Sequence, residues 1–170
     1  MVKSGKIISI FTPLKTIFLA EIIGTYECKV DVKGRLMFPS QLRAQIPSAV
    51  EAGFVLKRSI FMKCLELYPK EEWQLESKRI NSLNRFRKKN VDFIRKFMAG
   101  VKSVELDKTG RILIPRDLIK YGEIKKEIVL ASVVNKIEIW DRAEYEKAVD
   151  YDPDEFASLA EEVMGDNETE

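Results

Sequence analysis

Two short stretches of the sequence place an aspartate, a glycine, an arginine and a proline at the same spacing. They read DVKGRLMFP at residues 31–39 and DKTGRILIP at residues 107–115, an offset of 76 positions. An aspartate side chain accepts hydrogen bonds from backbone N–H groups two residues on, and a glycine supplies the positive φ of a tight turn. An arginine placed directly after such a turn can bridge two phosphate oxygens or bind guanine O6 and N7. The repeated motif therefore predicts recognition of a nucleic acid.

The candidate binding residues are those of the two turns. Because each arginine follows the turn glycine, it begins the outgoing strand close to the exposed tip, where the lysines can bind phosphate. The structural alternative is that each arginine pairs with the aspartate of its own turn and only locks it. Both can hold together, since an arginine oriented by an aspartate is preorganised for a ligand. The full candidate set is Asp31, Lys33, Gly34, Arg35, Asp107, Lys108, Gly110 and Arg111.

The similarity extends beyond the turns. Further along the chain the offset becomes 72, which pairs CLELYPKEEW (64–73) with KIEIWDRAEY (136–145). Each copy is predicted to contain a β-patterned run, the turn, an apolar strand, a short helix opened by proline, and two further strands. The chain thus carries two copies of one supersecondary unit. The predicted fold class is α+β, with β structure dominating.

Helical patterns lie between the copies and at the end of the chain. Apolar spacing in residues 69–100 predicts two helices with a break near 84–90, and residues 78–102 hold nine basic residues against one aspartate. This basic face can be a solvated surface or a surface for a polyanion. Near the C-terminus, Asp152 is predicted to cap a helix that ends at Gly165. We expect its apolar stripe to pack on the body of the protein; the stripe consists of Phe156, Leu159 and Val163.

Composition excludes several classes of protein. The 170 residues are 45% hydrophobic and 33% charged, which is typical of a globular protein. The chain has no histidine, and its two cysteines, Cys28 and Cys64, are far apart, so we expect no metal, no cofactor and no disulfide framework. Neither a phosphate-cradling glycine loop nor a catalytic constellation is evident, so we expect no enzyme. The setting predicted is reducing and cytoplasmic.

Charge is distributed unevenly along the chain. Residues 1–140 hold 27 basic against 15 acidic residues, whereas residues 141–170 hold 2 against 12. A basic body attracts an anionic polymer, and an acidic tail keeps the chain soluble or screens that body. Simple solvation of two surfaces is the alternative.

The sequence divides into four predicted regions. Residues 1–22 form an N-terminal extension, 23–100 the first half with the basic helical segment, 101–147 the second half, and 148–170 an acidic C-terminal helix and tail. Pro13 and Lys15 interrupt the apolar run at the N-terminus, so we favour an extension over an export signal or a membrane span.

The motifs resemble the MraZ family of bacterial transcriptional regulators. The resemblance rests on the two DxxGR turns, each followed by a proline, on CLELYPKEEW, and on DKTGRILIP with NKIEIWD, and it runs from about Gly24 to Gly165. It implies a double-split β-barrel of the SpoVT-AbrB type, made of two pseudo-twofold related swapped-hairpin halves with peripheral helices. In such proteins the DxxxR turn carries the DNA contact, which falls here on Asp31 with Arg35 and on Asp107 with Arg111.

The resemblance also implies a function and its partners. The expected protein is a cytoplasmic, nucleoid-associated regulator that assembles into a ring of identical subunits. It binds short direct repeats in the promoter of the division and cell-wall gene cluster, usually repressing it. We expect double-stranded DNA and further copies of the chain as partners, with no membrane and no small-molecule substrate. The alternative is an oligomeric scaffold or interaction protein with non-specific nucleic-acid binding. No RNP-type aromatic pair or GxxG loop favours RNA as the ligand.

Overall fold

The computed structural model describes residues 21–165. The predicted extension therefore lies outside the described residues up to position 20, and so do the last five residues of the acidic tail. Residues 21–165 contain eight strands: β1 Thr25–Lys29, β2 Arg35–Met37, β3 Phe54–Arg58, β4 Leu65–Pro69, β5 Lys102–Val104, β6 Arg111–Leu113, β7 Glu127–Val133 and β8 Lys136–Asp141. The same described part of the chain contains seven helices: α1 Ser40–Gln45, α2 Pro47–Ala52, α3 Lys70–Asn81, α4 Lys88–Met98, α5 Arg116–Tyr121, α6 Arg142–Val149 and α7 Pro153–Gly165.

The strands form two antiparallel sheets. Six strands are hydrogen-bonded in the order β1-β7-β8-β4-β3-β5, and β2 and β6 form a separate two-stranded ribbon. The predicted α+β class is confirmed, and the strand pairing is antiparallel. Helices nevertheless contain more of the described residues than strands do, because α3, α4 and α7 are longer than any strand. The expected dominance of β structure is therefore not observed.

The strands on either side of each DxxGR turn do not pair with each other as a simple hairpin. β1 pairs with β7 along its whole length, while β2 pairs with β6, and only a single bridge joins Val30 to Leu36 across the first turn. Each turn is therefore followed by a strand that pairs with a strand from the other copy of the motif. The strands before and after the first turn are thus both hydrogen-bonded to strands of the second copy.

The core lies between the ribbon, the six-stranded sheet and the short helices α1 and α5. Alternating residues of β2 and β6 point into it, because successive side chains of a strand face opposite sides. The same alternation supplies the sheet face, and α1 and α5 each contribute a leucine. The fully buried members include Leu36, Phe38, Leu42, Phe54, Leu56, Leu67, Ile112, Ile114, Leu118, Ile128, Leu130 and Ile139.

The break predicted between two central helices is confirmed, since α3 ends at Asn81 and α4 begins at Lys88. α4 packs on the sheet through Phe97, whose ring stacks on Trp73 of α3 with centroids 6.0 Å apart. The ammonium group of Lys57 lies 4.5 Å from the centre of the Phe97 ring. The opposite side of α4, which carries most of its basic residues, is exposed.

A buried ionic network connects β3, β4 and β8. Glu66 accepts hydrogen bonds from Lys57 at 3.0 Å, from Lys136 at 2.7 Å and from the Tyr68 hydroxyl at 3.2 Å. Burial alone would raise the pKa of Glu66, but the hydrogen bond from Lys136 and the charge of Lys57 outweigh it and hold that pKa below its ordinary value. The network is satisfied because every buried charge has an opposite partner.

The C-terminal helix differs from the sequence prediction in one respect. Asp152 caps α7 as predicted, since its carboxylate accepts hydrogen bonds from the N–H groups of Asp154 and Glu155. The expected packing of the apolar stripe on the body is wrong: every residue of α7 is exposed. Amphipathic spacing predicts that a stripe exists, but it does not say which surface covers it. Among residues 21–165, no helix is sufficiently long and apolar to cross a membrane.

Candidate nucleic-acid interface

The first turn is closed by the side chain of Asp31. One carboxylate oxygen accepts the N–H groups of Lys33 and Arg35, both at 2.9 Å, and the other accepts Nε–H of Arg35 at 2.7 Å. Gly34 has φ +85°, which only glycine adopts readily. These contacts lie within five consecutive residues, so the local sequence is sufficient to specify the turn.

The second turn repeats this geometry. Asp107 accepts the N–H groups of Thr109 at 2.9 Å and Arg111 at 3.0 Å, and its second oxygen accepts Nε–H of Arg111 at 3.0 Å. The Thr109 hydroxyl adds a bond of 2.7 Å to the aspartate, and Gly110 has φ +80°. The predicted turn chemistry is confirmed at both positions.

The hydrogen bonds keep both carboxylates ionised. The N–H group of Arg35 is the largest influence that lowers the pKa of Asp31, and the N–H group of Arg111 has the same effect on Asp107, followed by the Thr109 hydroxyl. A carboxylate whose folded-state pKa is lowered stabilises the fold above its unfolded-state pKa and loses that contribution as the pH falls through the folded-state value. At neutral pH both turns are therefore closed.

Each arginine pairs with the aspartate of its own turn, as the structural alternative predicts. Each guanidinium donates Nε–H to the aspartate of its own turn, and about a third of each arginine side chain is exposed, 33% for Arg35 and 32% for Arg111. A guanidinium carries five N–H donors, so this pair leaves the four of Nη1 and Nη2 for other acceptors. Pairing with aspartate thus orients the guanidinium group and leaves its terminal N–H groups available to a ligand.

The fold places the two turns at the two ends of the same two-stranded ribbon. In the ribbon formed by β2 and β6, Arg35 lies opposite Leu113, and Arg111 lies opposite Met37. The N–H of Ile114 donates to the carbonyl of Gly34 at 2.8 Å, so β6 contacts the first turn directly. The eight candidate residues lie at the two ends of this ribbon: six belong to the turns, and Arg35 and Arg111 are the first residues of β2 and β6.

The lysines do not occupy equivalent positions. Lys33 is the third residue of the first turn, whereas Lys108 is the second residue of the other, and both are exposed. The position that corresponds to Lys108 is occupied by Val32, whose side chain is fully exposed. The two turns therefore present their ammonium groups in different places.

Arg43 is a cation at this surface that the sequence reasoning missed. A Cβ atom built on Gly110 would lie 2.5 Å from Nη1 of Arg43, whereas one built on Gly34 would meet Ile119, the residue equivalent to Arg43 in the other copy. The second turn thus carries an additional guanidinium and the first turn an aliphatic side chain. The offset of 76 positions pairs Arg43 with an apolar residue, so repeat analysis gave no signal for it.

Proteins named as regulators of transcription are similar to this chain over most of its length. The chain is 57% identical over 150 residues to a transcriptional regulator MraZ of Christiangramia forsetii, with 88% of this chain and 97% of the relative covered. It is 60% identical over 144 residues to the protein of the same name from Flavobacterium psychrophilum, with 85% and 92% covered. A third protein of this name, from Pediococcus pentosaceus, is 36% identical over 142 residues, with 84% and 96% covered.

A family model described as "MraZ protein, putative antitoxin-like" matches residues 22–96 and again residues 97–167. The chain belongs to the MraZ family. The family suggested by the turns and by the CLELYPKEEW segment is confirmed.

Proposed function

We propose that this chain is a DNA-binding repressor that recognises short direct repeats in the promoter of the bacterial division and cell-wall gene cluster. The observation that carries the proposal is the pair of preorganised arginines, Arg35 and Arg111, at the two ends of one ribbon. A two-stranded ribbon fits the major groove of B-DNA, and an arginine fork binds guanine or phosphate bidentately. We propose the eight residues predicted from the sequence as the DNA-binding residues.

The fold and location follow from the same proposal. The exchange of strand partners between the two copies of the motif supports a double-split barrel of two swapped-hairpin halves. The regions 23–100 and 101–147 are the proposed halves, flanked by the extension 1–22 and the acidic segment 148–170. A protein with this function acts in the cytoplasm, in association with the nucleoid.

Assembly into a ring is supported by surfaces that this chain leaves uncovered. The stripe on α7 is exposed although it is apolar, with Phe156 57% and Val163 59% exposed. α7 carries four acidic residues and no basic one, whereas α4 exposes basic side chains beside Phe93 and Met98. Because charge and apolar surface are both complementary, we propose that α7 packs on α4 of a neighbouring copy. A contact between different surfaces of identical subunits generates a ring when the rotation closes.

The double variant Phe156→Ser with Val163→Ser is expected to dissociate the assembly. It removes the apolar side chains of the contact and leaves only exposed charge pairs, which contribute little. Light scattering should then give a lower mass for the variant than for the wild type. Ala157→Ser introduces the same residue on α7 away from the stripe and should leave the mass unchanged. An unaltered mass in the double variant would assign the assembly to another surface.

A ring explains how weak single contacts give selective binding. Each subunit contributes one ribbon, and once one ribbon has bound, the next repeat is met at a high effective concentration. Repeats about one helical turn apart lie on one side of the duplex and can face successive subunits. Binding of the array then occludes the promoter.

The function is tested by titrating the protein against the duplex upstream of its own gene, with a scrambled duplex of equal length and composition as competitor. We expect preference for the native duplex and an affinity that falls steeply with salt, because lysine and arginine release counterions from the backbone. Equal affinity for the two duplexes, or none for either, would contradict the proposal and favour a scaffold.

A further inference from the structure

The outward face of the ribbon carries two apolar residues, each directly opposite one of its two arginines. Leu36 and Ile112 lie opposite each other at the centre of the ribbon, and both are completely buried. Since side chains alternate along a strand, their neighbours face outward, and directly opposite residues share a face. That face is formed by Arg35 opposite Leu113 and Met37 opposite Arg111.

The two apolar residues are the most prominent part of this face. Met37 is 53% and Leu113 is 56% exposed, more than the side chains of the arginines beside them. The two occupy equivalent positions in the two copies of the motif, at the offset of 76. A single exposed apolar residue is ordinary, but a symmetric pair that shares a cationic face with two arginines indicates contact with an apolar group of a ligand.

The charges around the pair decide which ligand fits. Lys33, Lys108 and Arg43 lie in or beside the turns at the ends of the ribbon, and the only acidic residues of the turns, Asp31 and Asp107, are already paired with arginine. An apolar protein surface placed here would leave the guanidinium groups without acceptors, at a cost in desolvation. The major groove of DNA offers both kinds of group, because it presents acceptors to arginine and the 5-methyl group of thymine to an apolar side chain.

We propose that Met37 and Leu113 determine sequence specificity by packing against thymine methyl groups in the major groove. The assignment rests on the proposed DNA-binding function and adds to it a base that the ribbon selects. Met37 and Leu113 lie on different strands, displaced from each other by two residues of strand, roughly 7 Å. This displacement is about two base-pair steps, so the two side chains read different base pairs of one site.

The test uses one duplex in two forms that differ only in the methyl group. The region upstream of the chain's own gene is amplified once with thymidine triphosphate and once with deoxyuridine triphosphate, and both products are titrated with the wild type and with Met37→Ala, Leu113→Ala and the double variant. Loss of two buried methyl contacts is expected to weaken wild-type binding roughly tenfold on the uracil duplex. The double variant should bind the thymine duplex with a similar loss and should not distinguish the two forms.

Met62→Ala is the matched control, because Met62 is also a half-exposed methionine, 47% exposed, but lies between β3 and β4 outside the ribbon. It should behave as the wild type on both duplexes. The assignment is overturned if uracil weakens the wild type and the double variant by the same factor, since the methyl groups would then act through DNA shape. It is also overturned if the double variant changes the mass of the assembly but not its preference for thymine.

Failure of the underlying function has a different signature. A wild type that binds neither form of the duplex overturns both the DNA-binding function and the role of the apolar pair. A wild type that binds both forms equally and tightly retains the function and removes only the specificity role from Met37 and Leu113.

Discussion

Replacing Arg35 and Arg111 together with alanine is expected to lower the affinity for the promoter duplex by at least about 30-fold, since each bidentate arginine contact contributes roughly 1–3 kcal/mol. The effect is large because both arginines belong to one ribbon and every subunit that binds the array loses both. The turns should stay closed, since the aspartates still accept the backbone N–H groups of residues 35 and 111. A mobility-shift titration measures the loss, and light scattering confirms an intact assembly.

Two controls separate the arginine fork from bulk charge. Arg142→Ala with Lys147→Ala removes two exposed positive charges from α6, outside the ribbon, and should change the affinity only slightly. The double variant Arg35→Lys with Arg111→Lys keeps the charge but loses the planar guanidinium group and its Nε contact to aspartate. It should retain salt-dependent binding and lose preference for the native duplex. Unchanged affinity in the double alanine variant would remove the two turns from the DNA interface.

Glu66→Ala is expected to reduce the free energy of unfolding by about 3–5 kcal/mol, the range for a buried ion pair that loses one partner. Lys57 is completely buried, and its opposite charge is Glu66, 3.0 Å away. Without the carboxylate, its ammonium group would remain in the core beside the Phe97 ring, which does not replace a charge partner. Lys136 is partly exposed and can turn toward water. Denaturation by urea, monitored by circular dichroism, measures the change.

Replacing the buried pair as a whole provides the control. Lys57→Met with Glu66→Leu removes both charges and fills the same space with apolar side chains, so most of the lost stability should return. If Glu66→Ala and the double variant are equally destabilised, the cost comes from packing and not from an unpaired charge. The variant should not alter DNA preference once it is folded, because Glu66 lies in the six-stranded sheet and not in the ribbon.

The sequence predicted the site in more detail than the fold. The two DxxGR turns could be identified because their hydrogen bonds join residues at most four positions apart, and because the chain presents the motif twice. The family resemblance came from the same residues. Helices α3 and α4 and the cap of α7 were also predictable, since apolar spacing and capping are local properties.

Other features could not be predicted because they depend on residues far apart in the chain. The pattern of β2 identifies its buried face, but it does not identify β6 as its partner, because alternation is the same for any partner. The position of Arg43 beside Gly110 joins residues 67 positions apart and breaks the symmetry of the repeat. The exposure of α7 depends on which surfaces remain uncovered after the core has formed.

The sequence by itself determined the two turns, the placement of Arg35 and Arg111 directly after them, and the order of strands and helices, because these follow from local hydrogen bonding and periodicity. Only the tertiary structure decided that both arginines share the outward face of one ribbon with Met37 and Leu113. The physical reason is that strand partners are chosen by burial of the whole core, and that choice also fixes which side chains remain on the outside.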